Sequence, residues 1–310
     1  MKHGLGFNNH RHLIYNLMAK NTDKINTQMV EKFIVKLLDL TSTITQPFRS
    51  KYQVVLQFGH ESWPFLSNPS LLQFLKQRCK VGGVTPIIHQ LDHIHPLTEG
   101  FSDWAQRYLN VSQEVGSPYL IIHLPPHPMN VLKETAEALT VDQVLDALSR
   151  NEVSIALENL CYEEPTPFFG QLKNVATLLE KIVSELKKTQ HEDLERRFRI
   201  CFDYGHFTEY AHHCNQDVKE KVGGFLSVMD ERIEMLHVHT NDGTADQHLL
   251  PGEYPRNVNL RMLKKLERIC LATLKRLSGK NRIFIVERNS PFQIQAMIHC
   301  FQILDQALSV

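Results

Sequence analysis

The sequence lacks several features that would place the protein in a special class. None of its six cysteines forms a Cys-x-x-Cys pair, the spacing of many zinc and redox sites. No apolar stretch approaches the roughly 20 residues that a membrane-spanning helix needs, and the first residues do not resemble a signal peptide. These absences predict a cytoplasmic protein with reduced thiols and no association with membranes.

Net charge and low-complexity sequence are absent as well. The 34 basic residues balance the 34 acidic residues, so a broad positive surface for nucleic acid is not expected. No Gly/Ser-rich linker or repetitive block divides the chain. We therefore expect residues 1–310 to form one domain, and the apolar fraction of 42% is enough to supply its core.

Histidine is abundant, with 17 copies, and many of these histidines follow short apolar runs. Apolar runs of this kind are typical of parallel strands that are buried on both faces. Eight runs alternate with segments of helical periodicity, which predicts an α/β fold, a single (β/α)8 TIM barrel. A doubly wound open sheet is the alternative, although Gly4-Leu-Gly6 is a poor version of its phosphate-binding turn.

The predicted elements cover most of the chain. The predicted strands are His3–Asn8, Tyr52–Phe58, Thr85–His89, Tyr119–His123, Val153–Glu158, Arg199–Asp203, Met235–His239 and Ile283–Glu287. The predicted helices are Val30–Leu40, Leu71–Gln77, Asp103–Val115, Val141–Leu148, Leu172–Leu186, Val218–Met229, Leu260–Leu277 and Phe292–Ala307. The charged segment Ser184–Arg199 is expected to be an extended helix end or a solvated insertion.

Ionisable residues lie at the ends of six consecutive predicted strands. In a parallel barrel these ends meet at one face, where active sites lie. Packed ionised groups need a compensating cation, and divalent transition metals prefer imidazole and carboxylate ligands. The sequence therefore predicts a divalent-metal site at this face. Its candidate residues are His89, His123, Glu158, Asp203, His206, His239, Asp246, His248 and Glu287.

The order of these residues resembles the xylose-isomerase-like TIM-barrel superfamily, which includes family-2 AP endonucleases and sugar phosphate isomerases and epimerases. The specific motifs are Asp203-x-x-His206 and a run that begins His237-x-His239 and continues to Asp246-x-His248. The endonuclease-IV-like branch implies three metal ions. Their ligands would be His89, His123 and Glu158 for the first, Glu158, Asp203, His239 and Glu287 for the second, and His206, Asp246 and His248 for the third.

The isomerase and epimerase branch of the superfamily implies a single catalytic metal, held at the positions of Glu158, Asp203, His239 and Glu287. Glu158 and Glu287 would then move a proton through a metal-stabilised enediolate, and His206 would orient the substrate. The amino-acid sequence of the run after His239 favours this branch. A sugar or sugar-phosphate isomerase or epimerase is therefore the function expected first.

The alternative is a trinuclear-metal phosphoesterase that resembles endonuclease IV, in which hydroxide attacks phosphorus. The complete set of nine ligand positions favours it. Three features disfavour DNA as the partner. The net charge is zero, the first strand lacks the His-Val-Ser sequence of the endonuclease branch, and the sequence has no convincing aromatic wedge. One to three ions of Zn, Mn, Fe or Co fit the ligand types, and the oligomeric state stays open. His237, His127 and Arg288 are predicted to contact the substrate.

Overall fold

Eight parallel strands form a closed barrel. The computed structural model describes residues 3–8, 27–59, 62–90, 93–288 and 293–309. Each strand pairs with its neighbours in the sequence, and the eighth pairs with the first, which confirms the predicted (β/α)8 TIM barrel. The strands are β1 (Gly4–Phe7), β2 (Gln53–Phe58), β3 (Val84–His89), β4 (Tyr119–His123), β5 (Ser154–Glu158), β6 (Phe198–Asp203), β7 (Ile233–Val238) and β8 (Ile283–Val286).

Helices alternate with the strands, as the sequence predicts. All eight predicted helices are present, although Phe292, where the last one was expected to begin, lies outside the described residues. The helices are α1 (Thr27–Thr45), α2 (Trp63–Leu66), α3 (Pro69–Gly82), α4 (Phe101–Val115), α5 (Leu132–Leu139), α6 (Asp142–Arg150), α7 (Leu172–Lys188), α8 (Tyr204–His213), α9 (Val218–Met229), α10 (Leu260–Leu277) and α11 (Ile294–Leu308). Helices α2, α5 and α8 were not predicted.

A layer of buried apolar side chains inside the barrel explains why the strands are apolar on both faces. The strands β2 to β8 each contribute one fully buried side chain to this inner cluster, while alternate residues pack in the larger core with the helices. The inner cluster consists of Val55, Ile87, Ile121, Ala156, Cys201, Met235 and Ile285.

A polar layer lies directly above the inner cluster. Side chains two residues apart on a strand point to the same face, so each inner apolar residue is followed, two positions later, by another inward-facing residue. We call this set the site layer, and all but one of its members are among the candidate site residues. The site layer consists of Gln57, His89, His123, Glu158, Asp203, His237 and Glu287.

The sixth strand ends where the sequence predicts, and the seventh ends one residue earlier than predicted. The sixth strand stops at Asp203, whose side chain accepts a hydrogen bond of 2.7 Å from the backbone N–H of His206 and so begins helix α8. The seventh stops at Val238, because Thr240 turns away and forms two antiparallel backbone hydrogen bonds with Leu249. His206 therefore lies in the first turn of a helix, and His239 follows its strand.

The charged segment Ser184–Arg199 is partly a helix end, as predicted. Helix α7 continues to Lys188, a 3₁₀ turn spans Glu192–Arg197, and β6 begins at Phe198. Arg197 donates hydrogen bonds to the carbonyl oxygens of Glu152 and Asn151, which hold this turn against the start of β5. Within the described ranges, no helix combines the length and the hydropathy needed to cross a membrane.

Candidate metal centre

The first group of metal-ligand side chains comes from the ends of β3, β4 and β5. Nε2 of His89 lies 2.9 Å from Oε2 of Glu158, and Nε2 of His123 lies 3.2 Å from the same oxygen. Nδ1 of His89 lies 2.9 Å from the carbonyl oxygen of Gln90. Because a carbonyl only accepts, Nδ1 carries the hydrogen and leaves the lone pair of Nε2 facing Glu158.

The second group consists of three carboxylates around one imidazole. Nδ1 of His237 lies 2.9 Å from Glu158, 3.4 Å from Asp203 and 3.5 Å from Glu287. The ligand atoms of all four side chains lie within 4.8 Å of one another. Glu158 belongs to this group and to the first, so it has the position of a bridging carboxylate.

The third group is formed by His206 of α8 and by three residues of the chain after β7. Oδ2 of Asp246 lies 2.6 Å from Nε2 of His248 and 3.5 Å from Nε2 of His206. The rings of His239 and His248 are stacked, with centroids 4.0 Å apart. His239 also reaches the second group, since its Nε2 lies 2.9 Å from Oδ1 of Asp203. All nine predicted metal ligands thus lie in three adjoining groups.

Imidazole and carboxylate charges dominate the electrostatics of the centre. Burial alone would raise the pKa of Glu158, but His237 and His123 outweigh it and hold this pKa well below its usual range. Burial alone would lower the pKa of His206, but Asp203 and Asp246 outweigh it and raise this pKa well above the usual value. The carboxylates are therefore ionised, and protons on the imidazoles supply the balancing positive charge that a bound cation would supply in their place.

Three buried polar atoms of the third group have no hydrogen-bond partner in the described part of the chain. They are Nδ1 of His239, Oδ1 of Asp246 and Nδ1 of His248. Buried polar atoms are normally paired, and these atoms are of the types that coordinate Zn, Mn, Fe or Co. The residues present therefore fit divalent metal ions.

A cavity of about 320 Å³ opens above the centre. Its lining includes Glu158, Glu287 and Arg288, and NH2 of Arg288 donates to Oε1 of Glu253 at 2.8 Å. Two residues that the sequence predicts to contact the substrate do not line it. His237 is fully buried in the site layer, and the ring of His127 accepts a hydrogen bond of 3.2 Å from the backbone N–H of Met129.

Gln57 and Asn8 are site residues that sequence reasoning missed. Both donate to Oε1 of Glu287, and Gln57 also contacts His237. The available signal for Gln57 is that it is the one polar residue in the apolar run of residues 54–58. Asn8 follows β1 and carries no such signal.

The chain segments that carry His206 and His239 pack closely against each other. Gly205 lies against the His239 ring, and a Cβ atom added at Gly205 would lie 1.9 Å from Cε1 of that ring. Asn241 donates to the carbonyl oxygen of Gly205 at 2.8 Å and ties the two segments together. The glycine of the Asp-Tyr-Gly-His sequence is therefore required by a close approach.

Several solved structures have a similar fold over almost the whole chain. A D-tagatose 3-epimerase-like protein has a TM-score of 0.61 and 16% identity, over 100% of this chain and 97% of its own. The IolI protein with a bound zinc atom has a TM-score of 0.61 and 14% identity, over 100% and 98%. D-psicose 3-epimerase with D-tagatose, from Clostridium cellulolyticum H10, has a TM-score of 0.56 and 12% identity, over 99% and 96%.

These likenesses confirm the predicted resemblance at the level of the fold. No protein-family model and no curated protein sequence matches the chain. At identities of 12–16% the likeness shows the fold alone. The substrates and reactions named for these neighbours therefore apply to those proteins only.

Proposed function

We propose that this protein is a divalent-metal-dependent sugar or sugar-phosphate isomerase or epimerase. The observation that carries the proposal is a pair of buried carboxylates, Glu158 at the end of β5 and Glu287 after β8, that line one cavity. Isomerisation and epimerisation both need a group that removes a proton from a sugar carbon and a group that returns it. Structural neighbours described as D-tagatose 3-epimerase-like and D-psicose 3-epimerase support this reading.

The metal would be held by Glu158, Asp203, Glu287 and an imidazole of β7 or of the residue after it. When bound, it supplies a Lewis acid that polarises a substrate oxygen. One glutamate then takes the proton from carbon, and the other delivers a proton to the neighbouring position. His206, the imidazole of the α8 turn, contacts the substrate hydroxyl and orients it.

The cavity suits a small molecule. A volume of about 320 Å³ lies at the lower end of the range typical of small-ligand sites. Arg288 is the basic residue among the lining residues that the structure describes, apart from histidines. Its guanidinium group is suited to bind a phosphate or a carboxylate of the substrate, and its contact with Glu253 fixes its direction.

Proton exchange with solvent tests the proposal. We expect protein loaded with Mn²⁺ or Co²⁺ to introduce deuterium from D2O into a ketose or ketose phosphate, observed by NMR. Glu158→Gln and Glu287→Gln should each abolish the exchange, because an amide cannot accept the proton. Glu234→Gln is the matched control, since Glu234 contacts Tyr119 and Arg199 near the start of β7, away from the cavity. Full activity in Glu158→Gln would refute the site.

A second candidate function is a trinuclear-metal phosphoesterase. The observation that favours it is the third group, whose three unpartnered buried atoms serve no purpose in an isomerase with one metal. Cleavage of abasic-site duplex DNA and of small phosphodiesters tests it. The variant His248→Ala separates the candidates, because it should reduce an isomerase modestly and a three-metal hydrolase severely.

A further inference from the structure

One oxygen of Glu287 is held by two neutral amides that come from different strands. Nε2 of Gln57, in β2, donates to Oε1 of Glu287 at 2.8 Å, and Nδ2 of Asn8, which follows β1, donates to the same oxygen. Gln57 and Glu287 are 1% and 5% exposed, so water competes little for these bonds. A carboxylate oxygen offers about two lone-pair sites, and donors of the protein therefore use both sites of Oε1.

The orientation of both amides is fixed at their carbonyl ends. The carbonyl oxygen of Gln57 lies 2.9 Å from Nε2 of His237, which must carry a hydrogen because a carbonyl oxygen only accepts. The carbonyl oxygen of Asn8 accepts a hydrogen bond of 3.3 Å from the backbone N–H of Arg288. With each carbonyl group engaged in this way, the amino groups of both side chains are the ones that face Glu287.

The other oxygen of Glu287 faces the third group of metal-ligand side chains. Oε2 lies 3.8 Å from Nδ1 of His248, which is too long for a hydrogen bond. Nδ1 of His248 is itself one of the unpartnered buried atoms in the described part of the chain. Oε2 is therefore the oxygen of Glu287 that is placed to contact a cation.

Glu158, the other glutamate that lines the cavity, is held in a different way. Its Oε1 lies 2.9 Å from Nδ1 of His237. Its Oε2 lies 2.9 Å from Nε2 of His89 and 3.2 Å from Nε2 of His123. Both oxygens of Glu158 thus face imidazoles of the ligand groups, whereas amides occupy one oxygen of Glu287. The two glutamates are therefore prepared for different modes of metal contact.

We infer that Asn8 and Gln57 are positioning residues that restrict Glu287 to one metal-contacting oxygen, Oε2. A carboxylate that binds through one oxygen takes one coordination position and leaves another open, which a catalytic metal needs for its substrate. The inference rests on the metal dependence of the proposed function and assigns no step of the reaction. Removal of a group that orients a metal ligand typically weakens metal affinity about 10–100-fold.

Titration of the chelator-treated protein with Co²⁺, followed by visible absorption, tests the inference. We expect Gln57→Leu and Asn8→Leu each to weaken the affinity about 10–100-fold. Each should also lower the absorption per bound ion, because a released Glu287 can bind through both oxygens and the absorption of Co²⁺ falls as its coordination number rises. Gln53→Leu is the matched control, since the exposed Gln53 lies at the start of the same strand and donates to Thr85.

Two results of this titration overturn the inference. One is wild-type affinity and absorption in Gln57→Leu and Asn8→Leu. The other is weaker affinity with unchanged absorption per bound ion, which a merely structural role of the two amides would produce. No binding of Co²⁺ to the wild-type protein overturns both the inference and the proposed function. The expected Co²⁺ results without deuterium exchange in the test above overturn the proposed function alone.

The double variant tests whether the two amides act through the same oxygen. Substitutions that share a partner are not additive, so Asn8→Leu combined with Gln57→Leu should lose less affinity than the product of the two single losses. Single losses that multiply in the double variant overturn the shared role.

A measurement on the wild-type protein covers the case in which the variants do not fold. In Zn²⁺-loaded protein labelled with ¹⁵N, we expect the side-chain amides of Gln57 and Asn8 to exchange hydrogen slowly with solvent, because Oε1 of Glu287 still accepts from them. The exposed amide of Gln53 is the fast-exchanging reference. Fast exchange at Gln57 and Asn8 after Zn²⁺ is added overturns the inference, since it means that the metal has displaced both amides from Oε1.

Discussion

Single residues decide how closely the segments of the centre can approach, and Gly205 is the clearest case. A Cβ atom there would lie 1.9 Å from the His239 ring, so Gly205→Ala must displace either helix α8 or that ring. We expect a loss of about 1–3 kcal/mol in the free energy of unfolding together with weaker metal binding. Urea unfolding and elemental analysis of the purified variant measure the two effects.

Gly223→Ala is the control for that substitution. Gly223 lies in helix α9, and a Cβ atom there would meet nothing within 4 Å. Alanine in a helix interior is favoured over glycine by about 0.5–1 kcal/mol, so this variant should be slightly more stable and bind metal normally. Equal behaviour of the two variants would show that the contact between Gly205 and His239 is unimportant.

The buried carboxyl group of Glu209 predicts a pH dependence of stability. Burial and the nearby charge of Asp246 raise the pKa of Glu209 to about 7. A carboxyl group whose pKa is raised by folding contributes stability that is full below its unfolded pKa, near 4.3, and is lost as the pH rises through about 7. Glu209→Gln stays neutral, so it should be more stable than the wild-type protein at pH 8, by up to about 3 kcal/mol.

Urea unfolding of the chelated proteins at pH 4.5 and at pH 8 measures this difference, because a bound cation would itself shift the pKa of Glu209. At pH 4.5 the variant should gain little, since the wild-type side chain is already protonated in the folded state. The exposed Glu152→Gln is the control and should show no such change with pH. A constant difference between Glu209→Gln and the wild-type protein at both pH values would contradict the assignment.

At the scale of elements, the loop after β7 is organised by one carboxylate. Oδ1 of Asp242 accepts hydrogen bonds from the backbone and hydroxyl of Thr244 and from Gln247, and Oδ2 accepts one from the backbone of Asn259. These bonds close the two ends of the loop on each other. The loop carries Asp246 and His248, so its shape sets the geometry of the third metal group.

We therefore expect Asp242→Ala to weaken metal binding by the third group about 10–100-fold, measured by competition with a coloured chelator. Asp217→Ala is the matched control. Asp217 caps helix α9 by accepting from the backbone N–H of Glu220, so its loss should cost about 1 kcal/mol in unfolding free energy and leave metal binding unchanged. If both variants lose metal equally, the loop contacts are not what holds the third group.

The elements also show what a sequence can predict and what it cannot. The strands were predictable because both of their faces are buried, and their ends carry the carboxylates and histidines that the structure brings together. Helix α8 was not predictable, because its residues from Tyr204 to Ala211 are all buried and none faces solvent, which removes the amphipathic signal. The partnership of Gln57 with His237 and Glu287 was equally hidden, since it depends on strand register.

At the scale of the whole molecule, the centre is a product of barrel closure. Seven strands contribute the site layer, and Asn8 adds a contact from the end of β1. Glu158 and Glu287 are 129 positions apart in the sequence, yet His237 contacts both. Because no single supersecondary unit contains a complete ligand group, the metal should bind only to the closed barrel, and binding should stabilise all of it.

Metal removal tests this coupling for the molecule as a whole. A ligand present at about 1,000 times its dissociation constant stabilises the folded state by about 4 kcal/mol, which corresponds to a Tm shift of roughly 6 °C for a chain of this size. We expect a chelator to lower Tm by about this amount, measured by calorimetry, and added Zn²⁺ or Co²⁺ to restore it. Glu287→Gln should abolish most of the shift, whereas Glu234→Gln should retain it.

The number of ions needed for full recovery then separates the two candidate functions, because one ion per chain supports the isomerase and about three support the phosphoesterase. An identical Tm with and without chelator would mean that the buried carboxylates are balanced by protons on the histidines alone.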